Sequence, residues 1–524
     1  AHTYDETLAA YISGAPRVLG GRVLIGYGGS NGVSRGYITA YDAAIGKQLW
    51  RFYTVPGDPS KGFENKAMEM AAQTWSGEWW KFGGGGNVWH AMAYDAKYDR
   101  VYIGTGNGFP WNQKIRSPGG GDNLFLASIV ALDRKTGKYV WHYQANPGVT
   151  WDYNNAMDIQ LATLNIGGKP RDVLMHAPKN GFFYVIDRKD GKLISAEKFA
   201  PANWASRVDL KTGRPVEDPR ARYENGEVFV MAPSAVGAHN WQSMSFNPRT
   251  GLVYIPQLEN EGAVTDPPDL ANWRYRPGMF INTGLGAAPA GTPVGLGSSN
   301  LVAFDPVAAK VVWKHPRPGM LNGGTITTGG NLIFQGWTTG RFVATAADTG
   351  KELWSFDAQT GVQGNPITYS VGGRQYVTVI TGFRSTVPAN PAWDFRTQKR
   401  RVLTFALGGK ATLPKAEFID QPILDDPSFV IDPAKARAGG ATFNTTCGIC
   451  HGLGAIAGGG APDLRRSALS LDPESFRAVV HDGALIERGM ARYEHLDEAE
   501  LEALRHYIRL TARQALAPQA AATP

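Results

Sequence analysis

The chain has 524 residues, more than a single hydrophobic core usually serves, so a large domain followed by a small one is expected. Its 53 Lys and Arg against 46 Asp and Glu leave a net charge of +7 with no basic run, which argues against a nucleic-acid partner. No stretch of about 18 consecutive apolar residues is present to span a membrane.

Glycine (64), proline (33) and tryptophan (15) are abundant, and short apolar runs separated by turn residues favour an all-β body. From residue 1 to about 408 one phrase recurs: a short apolar run, an acidic turn, Gly-Lys, then a strand ending in an aromatic residue. It reads Ala40-Tyr-Asp-Ala-Ala-Ile-Gly-Lys-Gln-Leu-Trp50, then Ala131-Leu-Asp-Arg-Lys-Thr-Gly-Lys-Tyr-Val-Trp141, then Val185-Ile-Asp-Arg-Lys-Asp-Gly-Lys192. Further on it returns as Ala303-Phe-Asp-Pro-Val-Ala-Ala-Lys-Val-Val-Trp313 and Ala347-Asp-Thr-Gly-Lys-Glu-Leu-Trp354. Asp and Gly supply turn geometry, so each phrase is a hairpin, and its tryptophan is a large apolar body able to wedge between neighbouring sheets. Repeats that cannot bury both faces alone stack radially, which predicts a β-propeller over residues 1–408, with the tryptophans structural.

Residues 409–431 follow neither period and carry prolines, as an extended linker does. The pattern then turns helical. Asp432 can cap a helix with Pro433 in its first position, and Asp497 with Glu500 makes a capping pair stapled by Leu496 and Leu501. Leu501, Leu504 and Ile508 give the last helix an apolar face, so residues 432–513 form a small all-α domain. Residues 514–524, rich in Ala and Pro, are expected to be a disordered tail.

Inside the helical domain lies Cys447-Gly448-Ile449-Cys450-His451. In a CxxCH the two thiols can add to haem vinyl groups while the adjacent imidazole ligates the iron. A zinc half-site or a redox dithiol uses the same residues, but no second Cys pair completes a zinc site and no βαβ pattern surrounds this one. Downstream, Gly483-Ala-Leu-Ile-Glu-Arg-Gly-Met490 offers a thioether in a loop, and Met490 is the expected sixth ligand. A His/Met pair fills both axial positions and favours electron transfer over oxygen binding. Haem c is attached outside the bacterial cytoplasm, so a soluble periplasmic protein is expected, with its leader absent from this sequence. Both cysteines are spent on the haem, leaving none for a disulfide.

Several longer phrases carry a family likeness: Arg35-Gly-Tyr-Ile-Thr-Ala-Tyr-Asp, Trp50-Arg-Phe-Tyr-Thr-Val-Pro-Gly-Asp-Pro, Gly104-Thr-Gly-Asn-Gly, Trp151-Asp-Tyr and Ala177-Pro-Lys-Asn-Gly-Phe-Phe. Together with the CxxCH domain they resemble the soluble type II quinohaemoprotein alcohol dehydrogenases, which carry pyrroloquinoline quinone (PQQ) and one haem c. The resemblance implies an eight-bladed propeller with PQQ and calcium near its axis. It implies Asp152 as the general base and calcium ligand, Asn107 as a further calcium ligand, and Lys179 as the cation at the quinone oxygens. Trp89 matches the floor beneath the quinone, and Ser13, Asn240 and Trp241 match cofactor contacts.

Two departures from the family pattern stand out. Asn31, in Gly28-Gly-Ser-Asn31, occupies the place of a glutamate calcium ligand, and exchanging a carboxylate for an amide weakens calcium binding. The chain also starts within the family's propeller, so the amino-terminal blades are expected to be missing or supplied by another chain. The reaction implied is oxidation of an alcohol to an aldehyde or ketone, with electrons leaving through the haem to an external acceptor such as a soluble cytochrome or a blue-copper protein. The alternatives are a dehydrogenase of polyvinyl or bulky secondary alcohols, and a non-catalytic electron carrier with a propeller binding module.

Overall fold

Each Asp…Gly-Lys phrase in the first three sheets folds into the hairpin that joins the third and fourth strands of an antiparallel sheet. The structure, a computed structural model, describes residues 3, 11–28, 33–276, 283–289, 292–295, 297–384, 393, 395–396, 398–416 and 421–517, and Asn31 lies outside them. The first sheet is built of Arg17–Leu19, Arg22–Gly26, Tyr37–Asp42 and Gln48–Tyr53, in chain order. The second is Met92–Asp95, Arg100–Gly104, Ser128–Asp133 and Tyr139–Gln144, and the third Ile159–Ile166, Lys169–His176, Phe182–Asp187 and Leu193–Lys198. Ser245–Asn247, Leu252–Glu259, Ser298–Asp305 and Lys310–Arg317 make the fourth, and Thr325–Thr327, Leu332–Gly336, Arg341–Ala346 and Glu352–Asp357 the fifth. A sixth sheet has three strands, Ile367–Val371, Arg374–Thr381 and Arg401–Ala406. Successive meanders of this kind, each a separate sheet, are the blades of a propeller.

The sequence repeat has a definite packing reason. Gly137 in the turn of the second sheet has φ +69°, and a Cβ there would run into the ring of Trp50 from the first sheet. Trp50 Nε1 donates to the Arg134 carbonyl of the same turn at 3.1 Å. Trp141 repeats this on the third sheet, packing over Gly191 (φ +76°) and donating to the Arg188 carbonyl at 3.2 Å. Trp313 packs over Gly350 and donates to the Asp348 carbonyl at 3.0 Å. Each indole thus covers the bare glycine of the next sheet's turn and ties to its backbone, so the Gly of one repeat is required by the Trp of the one before.

A register shift after the third strand, at Ala40/Tyr41, Tyr139/Trp141, Val185/Ile186 and Ala303/Phe304, recurs at the start of this hairpin. Where the phrase has Ala309 in place of glycine, the alanine takes the left-handed φ of +51° all the same. Trp50 and Trp141 are 8% and 6% exposed, and Trp354 is 39% exposed. The structural reading therefore holds for Trp50, Trp141 and Trp313. Trp141→Ala is expected to lower stability by about 3–5 kcal/mol, measured as an earlier denaturant midpoint of the β-sheet circular dichroism.

The chain divides into two compact units, and the second takes in everything from Ser355 onward together with two short earlier stretches. The first unit holds the short helices α1 (Lys66–Ala72) and α2 (Gln113–Arg116) besides its sheets. The second holds the sixth sheet and a domain of helices α3 (Pro433–Thr446), α4 (Gly448–His451), α5 (Pro473–Val480) and α6 (Glu498–Leu516). Asp432 caps α3 through Ala434 N and Lys435 N, with Pro433 at the first position, and Asp497 and Glu500 close a reciprocal capping box on α6. Helices α3 and α6 meet at Gly439, where a Cβ would collide with the Ala503 carbonyl.

Among the described residues of 409–431 there is no helix or strand, but the segment is fastened to α6. The Leu424 carbonyl accepts from Arg509 at 2.8 Å, and the Asp425 carboxylate accepts from Arg513 at 2.9 and 3.1 Å. Helix α6 continues through Gln514, Ala515 and Leu516, which are expected from the sequence to lie in the tail. Residues 518–524 lie outside the described part. Among the described residues, no helix is long and apolar enough to cross a membrane.

Candidate active site and haem centre

The Trp151-Asp152-Tyr153 segment follows the last strand of the second sheet, and its flanking rings decide where Asp152 points. Trp151 and Tyr153 are fully buried and pack with Trp204. Trp151 Nε1 donates to the Ala221 carbonyl at 2.6 Å, and Tyr153 donates its hydroxyl to the Pro233 carbonyl. With both neighbours anchored, Asp152 adopts φ +61°, a left-handed conformation that an aspartate tolerates at some cost in strain. Its carboxylate meets Lys179: Nζ donates to Oδ2 at 2.7 Å and to the Ala235 carbonyl at 2.8 Å. Lys179 and Asp152 are 6% and 8% exposed, and a Cβ on Gly237 would strike the Lys179 stem, so the lysine is held along its length.

Burial pushes the Asp152 carboxyl above its ordinary range, while the Lys179 ammonium and the hydrogen bonds from Lys179 and Asn154 pull it part of the way back. A carboxylate so placed is a base whose protonation responds to its neighbours.

Asn154 donates from Nδ2 to Asp152 Oδ1 at 3.2 Å and to Asn107 Oδ1 at 3.4 Å, and its own Oδ1 is buried without a hydrogen-bond partner. Asn107 is 1% exposed, and its backbone carbonyl accepts from Gly86 N at 2.9 Å. This close approach explains the glycine run before Trp89. Gly83, Gly84, Gly85 and Gly86 all have φ between 73° and 87°, and a Cβ on Gly85 would collide with the Asn107 carbonyl. Asn87, at the end of the run, is fully buried, with its Oδ1 also unpartnered. Neither Asn87 nor Asn154 is singled out as a ligand by sequence; unpaired amide oxygens at a buried site are their signal.

Trp89 is half-buried and stacks on His90 at 6.0 Å. Ser13 is exposed, next to Gly14, where a Cβ would collide with the Trp89 carbonyl. Asn240 spends its amide on its own turn, donating to the Val236 carbonyl at 2.7 Å and accepting from Trp241 N at 2.8 Å. Trp241 is 37% exposed. That turn also carries the Ala235 carbonyl that holds Lys179, which links the two segments.

In the helical domain, Cys447 follows α3 and Cys450 and His451 lie on α4. His451 Nδ1 faces the Pro462 carbonyl at 2.8 Å, which leaves Nε2 available to a metal. Burial lowers the His451 pKa and keeps the ring neutral, as a ligand must be. Burial and the neighbouring Cys450 push the Cys447 thiol up to about 12. Met490 follows Gly489 (φ +87°) and packs, with Cys447, against the apolar cluster of Phe443, Phe476 and Leu504. An imidazole nitrogen and two thiols at the α3–α4 junction, with the Met490 thioether packed on the same cluster as Cys447, are residue types that could hold a covalent haem.

Comparison with known proteins finds a relative for each domain. Residues 2–216 and 293–377 match the "Glucose/ethanol/alcohol dehydrogenase, beta-propeller domain" family, and residues 434–508 match "Cytochrome C oxidase, cbb3-type, subunit III". The chain is 48% identical to quinohemoprotein alcohol dehydrogenase ADH IIB of Pseudomonas putida, over 97% of this chain and 74% of that protein. The chain belongs to the quinohaemoprotein alcohol dehydrogenase family. Another member, from Comamonas testosteroni, is 45% identical over 96% of this chain and 71% of its own length. The solved quinohemoprotein alcohol dehydrogenase ADHIIG of Pseudomonas putida HK5 superposes with a TM-score of 0.88 at 41% identity, covering 98% of this chain and 76% of that one. As in the quinohaemoprotein alcohol dehydrogenases it resembles, the chain is a PQQ-type β-propeller followed by a cytochrome c domain.

Of the residues that the quinohaemoprotein alcohol dehydrogenase pattern points to, Asp152, Lys179 and Asn107 converge through Asn154. Asn240 and Trp241 share their turn with the Ala235 carbonyl that holds Lys179, and Ser13 precedes Gly14, which meets the Trp89 carbonyl. The half-open Trp89 indole offers a flat face to a planar quinone and the buried Lys179 ammonium a cation to its oxygens, whereas the unpartnered amide oxygens of Asn87 and Asn154, which only accept, suit a cation. For calcium the donors Asp152, Asn107 and Asn154 are all hard oxygens, but they bring one formal charge. Among the described residues, no three His, Cys, Asp or Glu side chains gather into a metal-binding group.

Proposed function

We propose that this protein oxidises an alcohol to an aldehyde or ketone with Asp152 as the general base, in a site that holds PQQ and calcium, and passes the electrons through haem c to an external acceptor. The observation that carries this reading is the buried Asp152–Lys179 pair, 2.7 Å apart and joined through Asn154 to Asn107. When bound, PQQ supplies the electrophilic carbonyl that takes the hydride, and haem c supplies an iron that relays electrons singly.

The chain's own part is positional and protonic. An Asp152 carboxylate oxygen takes the hydroxyl proton of the alcohol. Lys179, immobilised between Asp152 and the Ala235 carbonyl, favours the ionised form of that carboxylate against the effect of burial and would present positive charge to the quinone oxygens. Asp152, Asn107 and Asn31 are the calcium ligands in this reading, with the Asn154 oxygen as a further donor. His451 and Met490 hold the haem iron, and Cys447 and Cys450 hold the macrocycle. A periplasmic location follows from the chemistry of haem c attachment, and a soluble cytochrome or blue-copper protein suits a one-electron exit.

The direct test is optical. Purified protein is given PQQ and calcium, then ethanol and longer alcohols, and the reduced haem bands are expected to appear. If they do not, while dithionite still reduces the haem, the propeller is not working as a dehydrogenase and the electron-carrier reading replaces this one.

The pH dependence follows from Asp152. The base acts only when deprotonated, so kcat/KM should fall as pH drops through its raised pKa. Lys179 lowers that pKa both by its charge and by its hydrogen bond, so Lys179→Met should raise it and move the acidic limb to higher pH. A pH profile of kcat/KM on the PQQ-loaded variant checks this, and an unmoved limb would take the base role away from Asp152.

A further inference from the structure

The haem-binding segment is held by side chains from the sixth propeller sheet. Gln398 and Arg384 lie between the strands Arg374–Thr381 and Arg401–Ala406 and belong to the same compact unit as the cytochrome domain. Gln398 is buried and uses its amide fully: Oε1 accepts from Phe383 N at 2.8 Å, while Nε2 donates to the Phe383 carbonyl at 3.1 Å and to the Gly459 carbonyl at 2.7 Å. Arg400 donates to the same Gly459 carbonyl at 3.2 Å. Gly459 has φ +78°, and a Cβ on it would collide with the Phe383 carbonyl, so the backbones approach as closely as glycine allows. Three residues on, the Pro462 carbonyl orients the axial His451 ring.

Arg384 completes the arrangement on the cysteine side. Its backbone N–H donates to Gln363 Oε1 at 2.9 Å, its stem packs on Gly460, and its Nη2 lies 3.9 Å from Cys450 Sγ. The guanidinium therefore stands at the sulfur through which the haem is attached.

We propose that Arg384 and Gln398 are positioning residues of the haem centre: Gln398 fixes the segment that orients His451, and Arg384 places a cation at the Cys450 thioether, biasing the haem toward its reduced form. A positive charge near the iron stabilises ferrous over ferric haem, and a fixed imidazole preserves axial ligation. Electron entry from the propeller is then governed partly by propeller side chains. The proposal rests on the reading that CxxCH holds haem c.

The test is a redox titration of the holoprotein, following the haem α band. Arg384→Gln should lower the midpoint potential, and Arg384→Lys, which keeps the charge, should restore most of it. Gln398→Leu should weaken the ferric methionine-to-iron absorption band and lower the potential. Arg384 is exposed, so its variants fold even if Gln398→Leu does not. A potential in Arg384→Gln equal to that of the unaltered protein, or an equal fall in Arg384→Lys, overturns the proposal. Failure of the underlying haem reading would look different, because no covalent haem would then be detected by pyridine haemochrome in the unaltered protein.

Discussion

Asp152→Asn in the PQQ- and calcium-loaded protein is expected to slow alcohol-dependent haem reduction by about a hundred- to ten-thousand-fold, the range typical of removing a general base. The amide has nearly the shape of the carboxylate and retains an oxygen toward Lys179 Nζ, now 2.7 Å from Oδ2, but it cannot accept the alcohol proton. It also leaves a buried ammonium without its counter-charge, so part of the loss should appear as weaker cofactor binding. Stopped-flow reduction of the haem at saturating PQQ separates the two, because occupancy is then full and only the chemical step remains impaired. Reduction by dithionite should be unaffected. A stopped-flow rate within tenfold of the unaltered protein would mean that another group takes the proton.

The second large effect belongs to the other end of the chain. Replacing Cys447 and Cys450 together by serine should abolish covalent haem, leaving no haem-stained band after denaturing electrophoresis, and electron delivery to a cytochrome acceptor should fall to background. A serine hydroxyl cannot form the thioether, and His451 and Met490 alone must then retain the cofactor by coordination. The sheets should melt nearly as before, because Cys447 lies against the Phe443 cluster of the helical domain and Cys450 meets the exposed Arg384 guanidinium rather than a strand. A haem band that survived the double substitution would place the attachment elsewhere.

How legible these sites are in the sequence differs between them. The CxxCH can be read directly because its chemistry is local: two thiols and an imidazole within five residues need only a helical turn to converge. The capping signals Asp432-Pro433 and Asp497…Glu500 are local too, and both form as expected. The tryptophan repeat shows its period in the sequence but not its partner. Only the packed sheets reveal that Trp50 covers Gly137 and Trp141 covers Gly191, and that Trp354 stays exposed. Asp152 and Lys179 can be named through family phrases, yet their ion pair joins residues 27 apart through two anchored loops.

The sequence by itself therefore determined the domain order, the propeller repeat and the CxxCH motif, because those depend on residue type and short spacing, and its longer phrases determined the family whose members oxidise alcohols. The tertiary structure alone decided that Asn154 bridges the base to Asn107, that Asn87 and Asn154 keep unpaired buried oxygens, and that Gln398 and Arg384 hold the haem segment. Those contacts join residues far apart in the chain, where side-chain direction is set by the packing of neighbours such as Trp151 and Tyr153, and no local pattern encodes that direction.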